Sequence, residues 1–248
     1  MRVAAIYDIH ANLPALEAVI AEIRRGGFDE IVVGGDVLPG PMPRETIDFL
    51  RELDISARFI MGNGDRVVVA KMSGIDTAEM PPSFAESLAW NASQLDVRDG
   101  EWIATWPATL EVEVDGLGSV LFCHASPRND TEIFSRYTSE SKLLPVFANA
   151  SAPIVVCGHT HMQFDRMVGG TRVVNAGSVG MTFGEPGACW LELGPEIRLR
   201  RTEYDLASAA SRIRATAYPQ ASEFAENNVL RPLSEQRILE AYAGAELQ

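Results

Sequence analysis

The front of the chain alternates strand-length apolar runs with segments of helical periodicity. Arg2–Tyr7 reads as a strand. In Leu13–Arg25, Leu16, Val19, Ile20 and Ile23 recur at the spacing of one helix face, and Gly26-Gly27 ends the pattern. Glu30–Gly34 is a second strand and Pro43–Leu53 a helix with Ile47 and Leu50 on one side. Ser56–Met61 is a third strand. This β-α-β-α-β order calls for a largely parallel sheet covered by helices. The segment Val67–Trp106 is helix-like, and its Trp90, Trp102 and Trp106 read as core packing. Past Thr109 the texture changes to hairpins. Leu110–Val114 and Ser119–Phe122 flank Asp115-Gly116, and Gln163–Val168 and Thr171–Val174 flank Gly169-Gly170. Pro153–Val156, Gly187–Leu193 and Ile197–Thr202 add strands. From Asp205 onward the chain reads as two or three helices broken at Pro219 and Pro232. A parallel half and an antiparallel half suggest two sheets packed face to face with helices outside.

The 248 residues show no repeat, linker or low-complexity tract. One domain over 1–248 is therefore the simplest organisation, with 203–248 as a helical extension packed on it. A 46% hydrophobic content is enough to bury a core without disulfides. No apolar run approaches a membrane span, and no signal peptide is read at the N-terminus. Cys123, Cys157 and Cys189 are odd in number and sit in or beside apolar strands, which suits reduced thiols in the cytoplasm. The net charge of −13 argues against general nucleic-acid or acidic-membrane binding. It leaves room for a small phosphorylated substrate, because bound cations invert the local sign. Oligomeric state is not legible. The basic residues are 19 Arg and 2 Lys, a bias better explained by base composition than by function.

The chemistry lies in the four histidines, His10, His124, His159 and His161, each in a short polar segment: YDIHAN, CHASP and GHTH. GGD and GNGD add Asp36, Asn63 and Asp65 between them. Asp8, Asp36, Asn63, His124 and His159 each follow an expected strand, so five segments deliver polar residues to strand carboxyl ends, where open α/β sheets bind ligands. Asp8 and His10 are two apart, as are His159 and His161. If the strands persist, each pair points one way. The seven candidate ligands Asp8, His10, Asp36, Asn63, His124, His159 and His161 exceed a structural tetrahedral zinc site and suit two divalent ions. Mixed imidazole and carboxylate suits Mn, Fe or Zn, with Mn favoured. Two ions about 3.5–4 Å apart can clamp a phosphate, with a bridging hydroxide as nucleophile.

The ordered set D-x-H, GD, GN-x-D, H-x-S-P and GHTH, spanning about Arg2–Gly180, resembles the calcineurin-like metallophosphoesterase superfamily. DIHANLPALEAV is similar to its small prokaryotic branch, related to diadenosine-tetraphosphatase-like and YfcE-like enzymes. HASPR and NAGSVG also match family stretches. The resemblance implies an α/β fold, a four-layer α/β/β/α sandwich of two mixed sheets flanked by helices. It implies one metal on Asp8, His10 and His161, a second on Asn63, His124 and His159, and Asp36 bridging. The expected activity is hydrolysis of phosphodiesters or activated phosphomonoesters. The alternative is a catalytically weak or inactive metal-bound binding protein of the same fold. One departure stands out: many relatives carry a proton-donating histidine inside GN-H-D, where this chain has Gly64.

Asp36, Asn63, Asp65 and Arg128 are the candidate catalytic residues. Asp65 would orient the missing histidine in relatives; here it supports Asn63 or pairs with Arg66. Arg128 binds a phosphate oxygen or pairs with Asp130 or Glu132, and Arg66 has the same two readings. Asn12, before Pro14, is read as a helix cap over a substrate contact. Tyr7 is core or pocket wall. Cys123 and Cys157 point away from the site as buried strand residues, and Ser178 is a turn residue.

Overall fold

Alternation along the strands sorts the apolar side chains onto opposite faces of two five-stranded sheets, and the core follows from that sorting. The computed structural model describes residues 1–75 and 80–247, so residues 76–79 of the helix-like middle lie outside it. The first sheet contains β1 (Val3–Ile6), β2 (Glu30–Val33), β3 (Ser56–Phe59), β9 (Ala188–Leu193) and β10 (Ile197–Thr202) in the order β10-β9-β1-β2-β3. The second contains β4 (Thr109–Val114), β5 (Gly118–Cys123), β6 (Ile154–Cys157), β7 (Phe164–Val168) and β8 (Thr171–Asn175) in the order β4-β5-β6-β8-β7.

Val3 and Ala5 of β1, with Tyr7 just beyond it, face Val120, Phe122, Val156 and Val174 of the second sheet. Ala4 and Ile6 face the other way, onto α1 (Leu13–Gly26) through Leu16, Val19, Ile20 and Ile23. On the second sheet, Leu121, Cys123, Val155 and Cys157 point outward to α6 (Glu140–Phe147). The result is an α/β/β/α layering of two mixed sheets. Each sheet mixes parallel and antiparallel pairs, so the division into a parallel half and an antiparallel half does not hold. β9 returns to pair antiparallel with β1, Val3 opposite Leu193, while β5, β6 and β8 run parallel.

The first sheet's cover continues with α2 (Pro43–Arg51), α3 (Asn63–Met72), α4 (Pro82–Gln94) and α5 (Val97–Ile103). α1 ends where Gly27 takes φ 65°, a left-handed cap that a side chain disfavours. Trp106 is in the core and stacks on Phe59, with Trp102 edge-on to both. Trp90 instead packs edge-on against Tyr218 of the tail. α6 had no clear signal, since Pro145 lies inside it.

The tail forms α7 (Leu206–Arg214), α8 (Ala221–Phe224), a π-helical turn over Ala225–Leu230, and α9 (Glu235–Tyr242). Its apolar residues Ala210, Ile213, Phe224 and Val229 make a separate small core with Met181 and Tyr204. Arg212 anchors α7 to α1 by pairing with Glu17 through both terminal nitrogens, at 2.6 and 3.0 Å. No helix among the described residues is long and apolar enough to cross a membrane.

Candidate metal centre

The parallel strands β1, β2 and β3 of one sheet and β5 and β6 of the other end at a common edge, and the polar segments follow directly. Main-chain bonds extend the β1–β2 pairing into the loops: Asp8 N–H donates to Gly35 O (3.0 Å), His10 N–H to Asp36 O (2.9 Å) and Ala11 N–H to Val37 O (2.8 Å). These loops are not extended strand. Asp8, His10, Asp36, His159 and His161 all have positive φ, between 47° and 65°. Such backbone costs about 1–3 kcal/mol at a non-glycine residue and is held only where its surroundings impose it. The convergence of Asp8 with His10, and of His159 with His161, therefore comes from left-handed turns. The strand pleat expected from the two-residue spacing is absent, because β1 stops at Ile6 and β6 at Cys157.

Two groups of ligand atoms result. Asp8, His10 and His161 form one, and Asp36, His124 and His159 the other, each with its atoms within 4.8 Å of one another. Asp36 faces both: Oδ1 lies 3.4 Å from His124 Nε2, and Oδ2 lies 3.9 Å from His10 Nε2. Asn63 follows β3 across residues 60–62. It opens α3, and its side-chain amide sits 3.1 Å from His124 Nε2 and 3.0 Å from His159 Nδ1.

The ring orientations are fixed from behind. His10, His124 and His161 each direct Nδ1 at a main-chain carbonyl, that of Pro39 (3.2 Å), Gly34 (2.9 Å) and Met181 (2.9 Å). A carbonyl only accepts, so each Nδ1 carries a proton and Nε2 is the atom turned to the centre. This arrangement is typical of metal-ligating histidine. His10 Nε2 and His161 Nε2 then face each other at 3.2 Å. Asp8 Oδ1 is buried without a hydrogen-bond partner among the described residues, 3.4 Å from His161 Nε2, while Asp8 Oδ2 accepts from the His159 N–H. Imidazole nitrogens converging on carboxylates, and an orphaned buried carboxylate oxygen, are what a divalent cation resolves, so the residues fit two ions.

The electrostatics couple these groups tightly. Burial raises the proton affinity of Asp36, but His124, His10 and His159 outweigh it and hold the carboxyl well below its usual range. Burial raises Asp8 too, and His161 and His124 reverse the sign. Burial opposes a charge on His124, yet Asp36 and Asp8 push it up to about 10. Burial and the neighbouring His124 bring His159 down to about 4, and burial with His161 also lowers His10.

This sets a pH-dependent expectation. His124 holds its proton more tightly folded than unfolded, so that stabilisation is present below about pH 6.5 and fades as pH rises toward 10. A metal ion must displace this proton. Thermal melts of metal-stripped protein should fall from pH 6.5 to 8.5, and the rise in Tm on adding Mn should grow over the same range. A metal-induced shift that shrinks with pH would contradict the ligand role of His124.

Gly64 is part of the centre through its main chain. Its N–H donates to Asp36 Oδ1 at 2.7 Å, and a Cβ built on it would lie 2.2 Å from Leu38 O and 3.0 Å from Asp36 Oδ1. The volume beside it is filled by the Leu38 carbonyl and the Pro39 ring. Asp65 is fully buried and accepts from the Gly62 and Leu38 N–H groups, both at 3.0 Å, which ties α3 to the loop after β2. Burial, then the Asp36 charge, push it up to about 8. It does not pair with Arg66, which pairs with Asp130 (2.7 and 3.0 Å). Arg128 pairs with Glu132 and borders a separate pocket on the far side of His124, with Met61 and Trp106. Asn12 caps α1 by accepting from Ala15 N–H and also donates to Gly180 O. Tyr7 is core, its hydroxyl donating to Val156 O. Cys123 and Cys157 point away, into the outer core, and Ser178 Oγ donates to Asp8 O within a turn.

The centre opens into a cleft of about 520 Å³. Its wall includes Phe183, which stacks on His161 (centroids 5.4 Å, 16°), and the tail residues Tyr218, Asn227 and Asn228. Sequence reasoning missed this wall. The tail lies far along the chain from every motif, and the carbonyls that orient the histidines have no sequence signature.

Comparisons with known proteins agree with this geometry. An uncharacterized protein of Methanocaldococcus jannaschii is 26% identical over 238 residues, covering 88% of this chain and 94% of that protein. A metallophosphoesterase from Sphaerobacter thermophilus has a crystal structure that superposes with TM-score 0.70 at 26% identity, over 92% of this chain and 99% of its own. A hypothetical protein from Pyrococcus horikoshii superposes with TM-score 0.79 at 20% identity, over 94% and 99%. Both overlays are long enough to reach into the helical tail. The profile of the calcineurin-like phosphoesterase superfamily domain matches residues 1–194, and the chain belongs to that family.

Proposed function

We propose that this protein is a dinuclear metal-dependent phosphoesterase that hydrolyses phosphodiesters or activated phosphomonoesters. The observation carrying this is the pair of His-His-Asp groups facing one another across Asp36. Asp8, His10 and His161 would hold one ion, His124, His159 and Asn63 the other, and Asp36 both; manganese is the favoured ion. When bound, two such ions supply Lewis acidity toward a phosphoryl oxygen and lower the pKa of a coordinated water.

The chain's own residues do the rest. The three main-chain carbonyls behind the rings keep the Nε2 atoms aimed inward. Gly64 N–H holds the Asp36 carboxylate in place, and Asp65 locks the start of α3, which carries Asn63. Hydrolysis joins the water oxygen to phosphorus and breaks the ester P–O bond, and the leaving oxygen needs a proton when it is basic. No side chain at position 64 supplies it. General acid catalysis contributes about 10²–10⁴-fold, so alkyl esters should react slower than p-nitrophenyl esters by a factor in that range.

The test is turnover of bis-p-nitrophenyl phosphate and of alkyl phosphates with added Mn. Equal rates on the two leaving groups would remove the missing-acid reading. Absence of turnover across several metals and esters would favour the second reading, a metal-bound binding protein, which Gly64 is the feature to support. We place the protein in the cytoplasm, in keeping with its three buried free thiols. Its partner is a small phosphorylated molecule, the net charge of −13 disfavouring nucleic acid.

A further inference from the structure

The cleft beyond the metal centre has a composition that narrows what is attached to the phosphate. Apart from the ligands, Glu223 is the only charged side chain lining it among the described residues, with no Lys or Arg. A substrate carrying additional phosphates would find no protein cation there and would meet a carboxylate. A single phosphate, by contrast, is met by the ions of the centre alone.

What the wall does offer is aromatic faces and amides. Phe183 is fixed by stacking on His161, and Phe84 from α4 lines the same cleft, 38% exposed. Tyr218 is held rigidly, sharing a hydrogen bond with Ser87 Oγ (2.7 Å) and packing edge-on against Trp90 (5.4 Å). The amides come from the π-helical turn. Arg231 N–H donates to Glu226 O, five residues back, at 2.8 Å, which closes the wide turn. Ala225 and Val229 anchor it inward, and Glu226 is pinned outside by Arg214 and Arg231. The wide turn leaves two consecutive residues, Asn227 and Asn228, both lining the cleft. Neither side-chain amide has a hydrogen-bond partner among the described residues, although both are half-buried. Gln220 adds a third amide in the same position. π-helical turns are uncommon and recur at functional sites, and half-buried amides without partners are suited to a ligand that supplies both donors and acceptors.

We propose that the group recognised here is a nucleobase, so that the substrate is a nucleotide ester with one phosphate, its base on the ring of Phe183 and its edge read by Asn227 and Asn228. Stacking on an aromatic ring is tolerant of base identity, whereas paired amides match the mixed donor and acceptor edge of a base. This rests on the phosphoesterase reading of the metal centre.

The experiment is calorimetric binding to Mn-loaded protein of inorganic phosphate, ribose 5-phosphate, phenyl phosphate, the four nucleoside 5′-monophosphates and ADP. At least one monophosphate should bind about fivefold or more tighter than ribose 5-phosphate, the lower end of what base stacking contributes, and about tenfold tighter than phenyl phosphate, which stacks but presents no polar edge. ADP should bind no tighter than AMP. In the double variant Asn227→Ala, Asn228→Ala the preference over phenyl phosphate should shrink by about tenfold while inorganic phosphate affinity stays within twofold. Equal binding of nucleotides and ribose 5-phosphate would overturn the nucleobase assignment, and a clear preference for ADP would overturn its single-phosphate part. A double variant that keeps the full preference would overturn the role of the π-turn. Failure of inorganic phosphate to bind would sink the phosphoesterase reading itself, and the two failures are thereby distinguished.

Discussion

Asp36→Asn should reduce turnover of bis-p-nitrophenyl phosphate by at least about 10³-fold while the chain stays folded. Losing a residue that merely supports a metal ligand typically lowers activity or metal affinity about 10–100-fold, and Asp36 faces both ligand groups directly. Asparagine keeps the shape, tolerates the left-handed φ of 49°, and can still accept from Gly64 N–H through its amide oxygen. What it lacks is the charge and the second anionic oxygen. His124 would also lose the neighbour that contributes most to raising its proton affinity. Metal analysis by mass spectrometry should find fewer than two ions per chain, with a thermal transition of wild-type cooperativity. Activity within tenfold of wild type with two ions retained would mean that the carboxylate does not join the two groups.

Restoring the histidine that relatives carry should do harm. Gly64→His places Cβ 2.2 Å from Leu38 O, a main-chain atom that cannot swing aside like a side-chain tip. Overpacking of this kind costs about 1–3 kcal/mol. For a chain of this size that corresponds to a fall in Tm of roughly 3–10 °C. The shift needed to relieve the clash also pulls the Gly64 N–H from Asp36, so activity on p-nitrophenyl esters should drop and activity on alkyl esters should not recover. Gly64→Ala, with no imidazole to add, should share most of the loss. A Gly64→His protein with wild-type Tm and faster alkyl-ester hydrolysis would refute the steric account and show that the position accepts a proton donor.

The strands were legible as short apolar runs, Val3–Ile6 and Ile154–Cys157 being buried on both faces, and the Asp-Gly and Gly-Gly turns mark both hairpins. The assignment of β9 and β10 to the first sheet was not, since nothing in Cys189–Leu193 says that its neighbour is Val3, far away in the chain. The polar residues of the centre were legible as residue types in short segments. Their geometry was not, because it depends on left-handed backbone at Asp8 and Asp36 and on carbonyls such as Gly34 O, and any residue can supply a carbonyl. The cleft wall was the least legible part. Asn227 and Asn228 belong to no motif, and their place on the cleft depends on a main-chain hydrogen bond spanning five residues.

The left-handed ligands bear on what metal binding does for the chain's own stability. At Asp8, His10, Asp36, His159 and His161 the backbone prefers glycine, so every random exchange toward glycine or asparagine relaxes the main chain. Main-chain strain therefore works against these residue types, while ion binding and the side-chain hydrogen bonds of Asp8, His10, Asp36 and His161 work for them. A chain of this fold that bound no metal would meet the strain with those hydrogen bonds alone. This chain carries an aspartate or a histidine at all five positions, each on left-handed backbone.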